Sequence, residues 1–180
     1  RIAHSGAGEA PRGGRSHRRM GVPRFALAAA VCVIAGVIGV ALFGRSDADL
    51  RGQREALLST ATDVVKWDWS AWDNPAMSGV SGDVVWSDRA QRGYMRLRGL
   101  ARNDPRVQQY QLWIVDGKRG LERRFSGGVF DVSDDGEVVI PIASELVVER
   151  PELFAITIEE PGGTGISDMS RRAVLAKRPG

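Results

Sequence analysis

The sequence predicts a mainly β protein: an antiparallel, immunoglobulin-like (Ig-like) β-sandwich preceded by one transmembrane helix and a juxtamembrane amphipathic helix. Three observations carry this expectation. Residues 25–43 form an unbroken run of nineteen apolar side chains. Residues 47–66 repeat apolar side chains every three to four positions, the period of a helix. From residue 80 onward, short runs of alternating polarity are punctuated by Gly, Pro and Asp, the pattern of strands and turns.

The basic tail comes first. Residues 1–24 hold six Arg and one acid, Glu9, a net of +5. Residues 44–180 hold 19 Lys/Arg against 21 Asp/Glu, a net of −2, within a chain of formal charge +3. Phosphate binding needs cations gathered on a folded face, so the balance argues against direct nucleic-acid binding. Glycine, arginine and serine dominate this tail, a composition that leaves chain disordered.

Phe25–Phe43 reads FALAAAVCVIAGVIGVALF. As a helix it would span roughly 28 Å, close to the thickness of a bilayer core. Lipid requires an isolated span to satisfy its own backbone, which a helix does. Arg12, Arg15, Arg18, Arg19 and Arg24 precede it, whereas Arg45 and Arg51 are offset by Asp47 and Asp49. The side richer in Lys and Arg stays in the cytoplasm. The expected topology is single-pass, with the N terminus cytoplasmic, residues 44–180 extracytoplasmic, and membrane lipid as a partner. A cleaved signal peptide fits less well, because its core is shorter and ends in small residues. Met20 as the true start would weaken the charge argument. A lipid anchor on Cys32 meets a bulky Val31.

Next comes the juxtamembrane helix, 44–66. Leu50, Leu57, Leu58, Ala61, Val64 and Val65 form its apolar stripe, Arg51, Arg54 and Glu55 lie between them, and Asp47 or Asp49 is the expected N-cap. The stripe is expected to pack on the β domain. Trp67, Trp69 and Trp72 follow and are expected in its core or at its edge, and Asp73-Asn74-Pro75 reads as a turn.

The β domain is expected over 67–178. Strands are read at Asp83–Ser87, Tyr94–Arg98, Gln109–Asp116, Val129–Val132, Glu137–Ile140, Leu153–Glu159 and Arg172–Lys177. Gln109–Asp116 is apolar on both faces, so it should be central. Asp134-Asp135-Gly136 reads as a hairpin turn. About seven short strands without a long internal helix favour a sandwich, with a partly open barrel as the alternative.

Six segments then carry a resemblance: GDVVWS (82–87), GYMRLRGL (93–100), NDPRVQQYQLWIVD (103–116), GGVFDV (127–132), GEVVIPI (136–142) and FAITIEEPGG (154–163). In this order they resemble the C-terminal domain of the anti-sigma-K factor RskA family, over about Trp67–Lys177. The resemblance implies a transmembrane regulator that restrains an extracytoplasmic-function sigma factor until a signal releases it, often through a protease. The family's sigma-binding region has several helices and often a His…Cys-x-x-Cys zinc site. Here only 24 residues precede the apolar run, without Cys, and the chain begins with Arg1. Such a start fits a fragment or truncated gene model, with the sigma-binding domain missing or cut short.

Chemistry-bearing candidates are few. The single Cys32 and both His4 and His17 precede residue 44, so the β domain lacks Cys/His zinc sites and His-based triads. Asp131, Asp134, Asp135 and Glu137 have the donors of a hard-cation site, but a hairpin turn accounts for the Asp pair. Pro161–Gly165 offers backbone N–H groups to an anion, yet no Lys or helix accompanies it. Glu159 and Glu160 would point to opposite faces of a strand. Trp86, Trp113, Tyr94 and Tyr110 suit a sugar- or peptide-binding face, or more simply a core. No catalytic, cofactor-binding or metal residue is assigned, and no enzyme activity is expected. The alternative to an anti-sigma regulator is an exported, membrane-tethered β-sandwich binding module without a sigma-factor role.

Overall fold

The computed structural model describes residues 46–120, 123–133 and 136–179. The apolar run 25–43 and the basic tail lie outside them. Among the described residues no helix is long and apolar enough to cross a membrane.

Helix α1 spans Asp47–Thr60, followed by β1 (Val64–Asp68), β2 (Ser70–Ala71), a 3-10 turn at Pro75–Met77, β3 (Ser81–Ser87) and β4 (Arg92–Arg98). The chain continues through β5 (Gln109–Asp116), β6 (Arg124–Phe130), β7 (Glu137–Pro141), β8 (Pro151–Glu159) and β9 (Arg172–Lys177). Two antiparallel sheets result, of order β1-β3-β4-β7 and β2-β9-β8-β5-β6.

Period-two alternation explains the shared core. Val84, Trp86, Met95 and Leu97 of the first sheet meet Tyr110, Leu112, Ile114, Phe154 and Ile156 of the second. Trp67 joins them, 5.5 Å from Phe154 ring to ring. A buried aromatic of this size is a large part of the apolar area that drives folding. β5 is central as expected, hydrogen-bonded to β6 on one side and β8 on the other. Its opposite face packs Trp113 with Ala155 and Met169.

Several boundaries differ from the sequence expectation. Ser46 caps α1, its side chain accepting from the N–H of Asp49, whereas Asp47 and Asp49 supply first-turn charge. The helix stops at Thr60 and not at residue 66. Val64 and Val65 are β-branched and pair with Ser87 and Trp86, so tertiary pairing overrides a spacing that also suits a helix. Strand β6 runs through Gly127–Gly128 rather than starting after them, with a register shift between Leu112 and Trp113 on β5. Asp134 and Asp135 lie outside the described residues, but β6 and β7 are not hairpin partners: β6 pairs with β5, whereas β7 pairs with β4 in the other sheet. The order also departs from an immunoglobulin arrangement, in which strands A and B share one sheet and the next strand, C, lies in the other. Here β3 and β4 form a hairpin within one sheet. Gly82 permits that pairing, because a Cβ there would sit 2.1 Å from the Arg96 carbonyl oxygen.

Candidate functional site

Two polar constructions stand out, one on the outer face of each sheet. The first is the seam where α1 lies on the four-stranded sheet. Leu50 and Leu57 pack against Val85, Tyr94 and Val139. Leu50, Arg54 and Leu57 fall at i, i+4 and i+7, one helical face, so Arg54 enters the seam with them. Its Nη2 lies 2.5 Å from Oδ1 of Asp83, which is fully buried. Arg96 takes the other carboxylate oxygen and Lys66 stands 3.8 Å away. Glu137 receives Arg51 from the helix and Arg98 from β4. The Arg51 guanidinium also donates to the Glu137 carbonyl at 2.7 Å, and Asp47 accepts the Val139 N–H at 3.3 Å. Tyr94 donates its hydroxyl to Gln53 at 3.1 Å.

A buried ion pair is weak evidence for stability. Replacing both partners by apolar groups is often neutral, whereas removing one strands a charge. The Nε atoms of Arg54 and Arg96 are buried with no acceptor among the described residues, which lowers the net worth of the seam further. Through Arg54–Asp83 and Arg51–Glu137 the clamp ties α1 to β3 and β7. α1 is the first element after residue 43, so the seam is where the chain leaving the apolar run joins the β domain.

The second construction lies on the outer face of the five-stranded sheet. It joins the two most distinctive segments, YQLWIVD and ITIEEPGG. Gln111 accepts the Thr164 N–H at 2.8 Å and donates to the Thr164 carbonyl at 3.0 Å. Gln109 accepts the Gly162 N–H at 2.7 Å. Gly163, at φ +72, permits this approach, because a Cβ would lie 2.8 Å from Oε1 of Gln111. Trp113 donates to Thr157 at 2.8 Å, and Thr157 and Ser167 donate to Glu159 at 2.5 and 2.6 Å. At the end of β5, fully buried Asp116 accepts N–H groups of Lys118, Glu149 and Arg150. Burial pushes its pKa up, but these N–H donors and the nearby Arg119 prevail and hold it below the usual carboxylate value.

The candidates read from sequence are thereby placed. The Gly162 and Thr164 N–H groups of the Pro161–Gly165 loop are engaged by glutamine carboxamides rather than turned toward an anion. Asp131 accepts from Asn103 and Gln109, and Glu137 is held by arginines. Asp134 and Asp135 lie outside the described residues, among which no three His, Cys, Asp or Glu are grouped to hold a metal. Glu159 accepts two hydroxyls, while Glu160 follows the strand and faces Arg171 at 4.0 Å. Trp86, Trp113, Tyr94 and Tyr110 are all buried, which makes them core rather than a ligand-binding face. Sequence reasoning missed Arg54, Asp83 and Gln111. The helical face shared by Leu50, Arg54 and Leu57 was a signal for Arg54.

A family model described as the C-terminal region of the anti-sigma-K factor RskA matches residues 25–167. The chain belongs to this RskA C-terminal family. The match begins at Phe25, the first residue of the apolar run, and ends at Ser167, which donates to Glu159. No curated protein and no solved structure matches the chain. Anti-sigma-factor function is the family's, and a sigma factor is the partner that this membership implies. The RskA-type segments around Gln109–Asp116 and Phe154–Gly163 are those that touch in the outer-face network.

Proposed function

We propose that the chain is a non-enzymatic, membrane-anchored regulator of an extracytoplasmic-function sigma factor. Residues 25–43 cross the membrane, the arginine-rich tail lies in the cytoplasm, and the β domain lies outside, where it senses or scaffolds. A regulatory protease is the expected means of release. The observation that carries this reading is the family match beginning at Phe25, so that the apolar run and the β domain are matched as one unit. The charge asymmetry across that run supports the orientation. The Arg54–Asp83 pair supports a physical link between the β domain and the first helix after residue 43.

Affinity purification of the full gene product from its native host, followed by probing for sigma factors, tests this function. The regulator reading predicts recovery of one such factor. Recovery of none, from a product shown to be intact, would favour the tethered binding module instead.

A further inference from the structure

The two sheets treat their edges differently. On the four-stranded sheet, the outer side of β7 is covered by α1, whose Asp47 and Arg51 take the Val139 N–H and the Glu137 carbonyl. On the five-stranded sheet, β6 is an edge strand. Its far half is closed where Ala143 donates to the Gly127 carbonyl at 2.8 Å. Its near half, Arg124–Ser126, has no strand on the outer side among the described residues. Unpaired backbone at a sheet edge is a template for an added strand.

A groove of about 390 Å³ lies along this near half. It has walls on both faces of the sheet. Trp113 belongs to the outer-face cluster, whereas Phe125 packs against the core between the sheets. Four large apolar side chains are exposed among the described residues. Two of them, Ile166 at 88 % and Leu146 at 46 %, line the groove. A third, Val147, adjoins it, its carbonyl accepting from Arg119. Concentration of exposed apolar surface at one concave place marks an interaction site.

Among the described residues the charge is one-sided. Arg119, Arg123 and Arg124 line the groove, and no acid does among the described residues. Arg119 lies 3.8 Å from Asp116, whose carboxylate already accepts three N–H groups. Arg123 and Arg124 have no carboxylate partner among the described residues. Guanidinium groups at an open edge match carboxylates of an incoming chain.

We propose that the β6 edge accepts an extended, acidic segment of a partner protein as an added antiparallel or parallel strand. Backbone hydrogen bonds to Arg124–Ser126 supply the pairing. Acidic side chains meet Arg123 and Arg124, and apolar ones lie against Leu146 and Ile166. This goes beyond the regulator reading and does not depend on a sigma factor.

The test uses the full 180-residue chain in detergent and a fluorescein-labelled, amidated octapeptide of alternating Val and Glu, read by anisotropy. The Val/Glu peptide is expected to bind at least about tenfold tighter than a Val/Lys peptide. The double variant Arg123→Glu/Arg124→Glu is expected to weaken binding by about tenfold or more at an unchanged thermal midpoint. A second measurement leaves the protein unaltered. N-methylating all Val amides or all Glu amides blocks one edge of the peptide at a time, because successive N–H groups of a strand point to opposite sides. Strand addition predicts that one methylated peptide loses binding and the other keeps it. Equal affinity of both methylated peptides, or no saturable binding of the Val/Glu peptide, would overturn the proposal.

Discussion

Removing the carboxylate of Asp83 leaves buried Arg54 with only the exposed Glu55 at 2.8 Å, and Arg96 with only Glu137 at 3.9 Å. Asp83→Ala is expected to cost about 3–5 kcal/mol, the usual penalty for stranding a buried charge. Arg54→Met keeps the stem packing and removes the cation, while Arg96 still pairs with Asp83, so its cost should be smaller. Chemical denaturation of the two variants checks the order, and equal losses would remove Asp83 from the centre of the seam. Asp116 has a different signature. Its folded pKa lies below the unfolded value of about 3.9, so its contribution is present above that pH and is lost as pH falls through the range below it. Denaturation midpoints measured from pH 6 down to pH 2 should therefore drop for the native sequence. Asp116→Asn should lower stability at pH 6 and flatten the acid limb.

At the scale of elements, α1 sits at the length, about 12–15 residues, near which isolated helices are marginal in water. Its fourteen residues depend on Leu50 and Leu57 packing against the sheet. Leu57→Ala is expected to cost about 2–5 kcal/mol if the site cannot collapse. The same change should quicken hydrogen exchange at Val139, whose N–H is covered by Asp47, and unchanged exchange there would show that α1 does not shield β7. The sequence made most strands legible because their faces alternate cleanly: β5 and β9 carry the boundaries expected of them, and β8 begins two residues early. It failed where two periods coincide. Val64 and Val65 fit both the helical stripe and a β-branched strand, and only their pairing with β3 decides between them. The turn chemistry of Asp134–Gly136 is genuine hairpin chemistry, but which sheet the next strand joins is a non-local property. The seam was half legible: Leu50 and Leu57 marked the buried face, but an arginine on that face needs its buried partner before it can be assigned.

For the whole molecule, two sheets share one core and each outer face carries its own polar structure. One outer face secures α1, the element following the apolar run, and the other secures the Pro161–Gly165 loop. Membership of the RskA C-terminal family places this domain with the segment 25–43 that precedes it. A regulator of this kind needs the β domain and the tail on opposite sides of a bilayer. Val107, exposed and remote in sequence from the seam, offers a direct probe of that arrangement. In a Cys32→Ser background, Val107→Cys should react with a membrane-impermeant maleimide on intact cells, whereas Ser5→Cys should react only after lysis. Labelling of Val107→Cys only after lysis, with the chain recovered in the soluble fraction, would contradict the account.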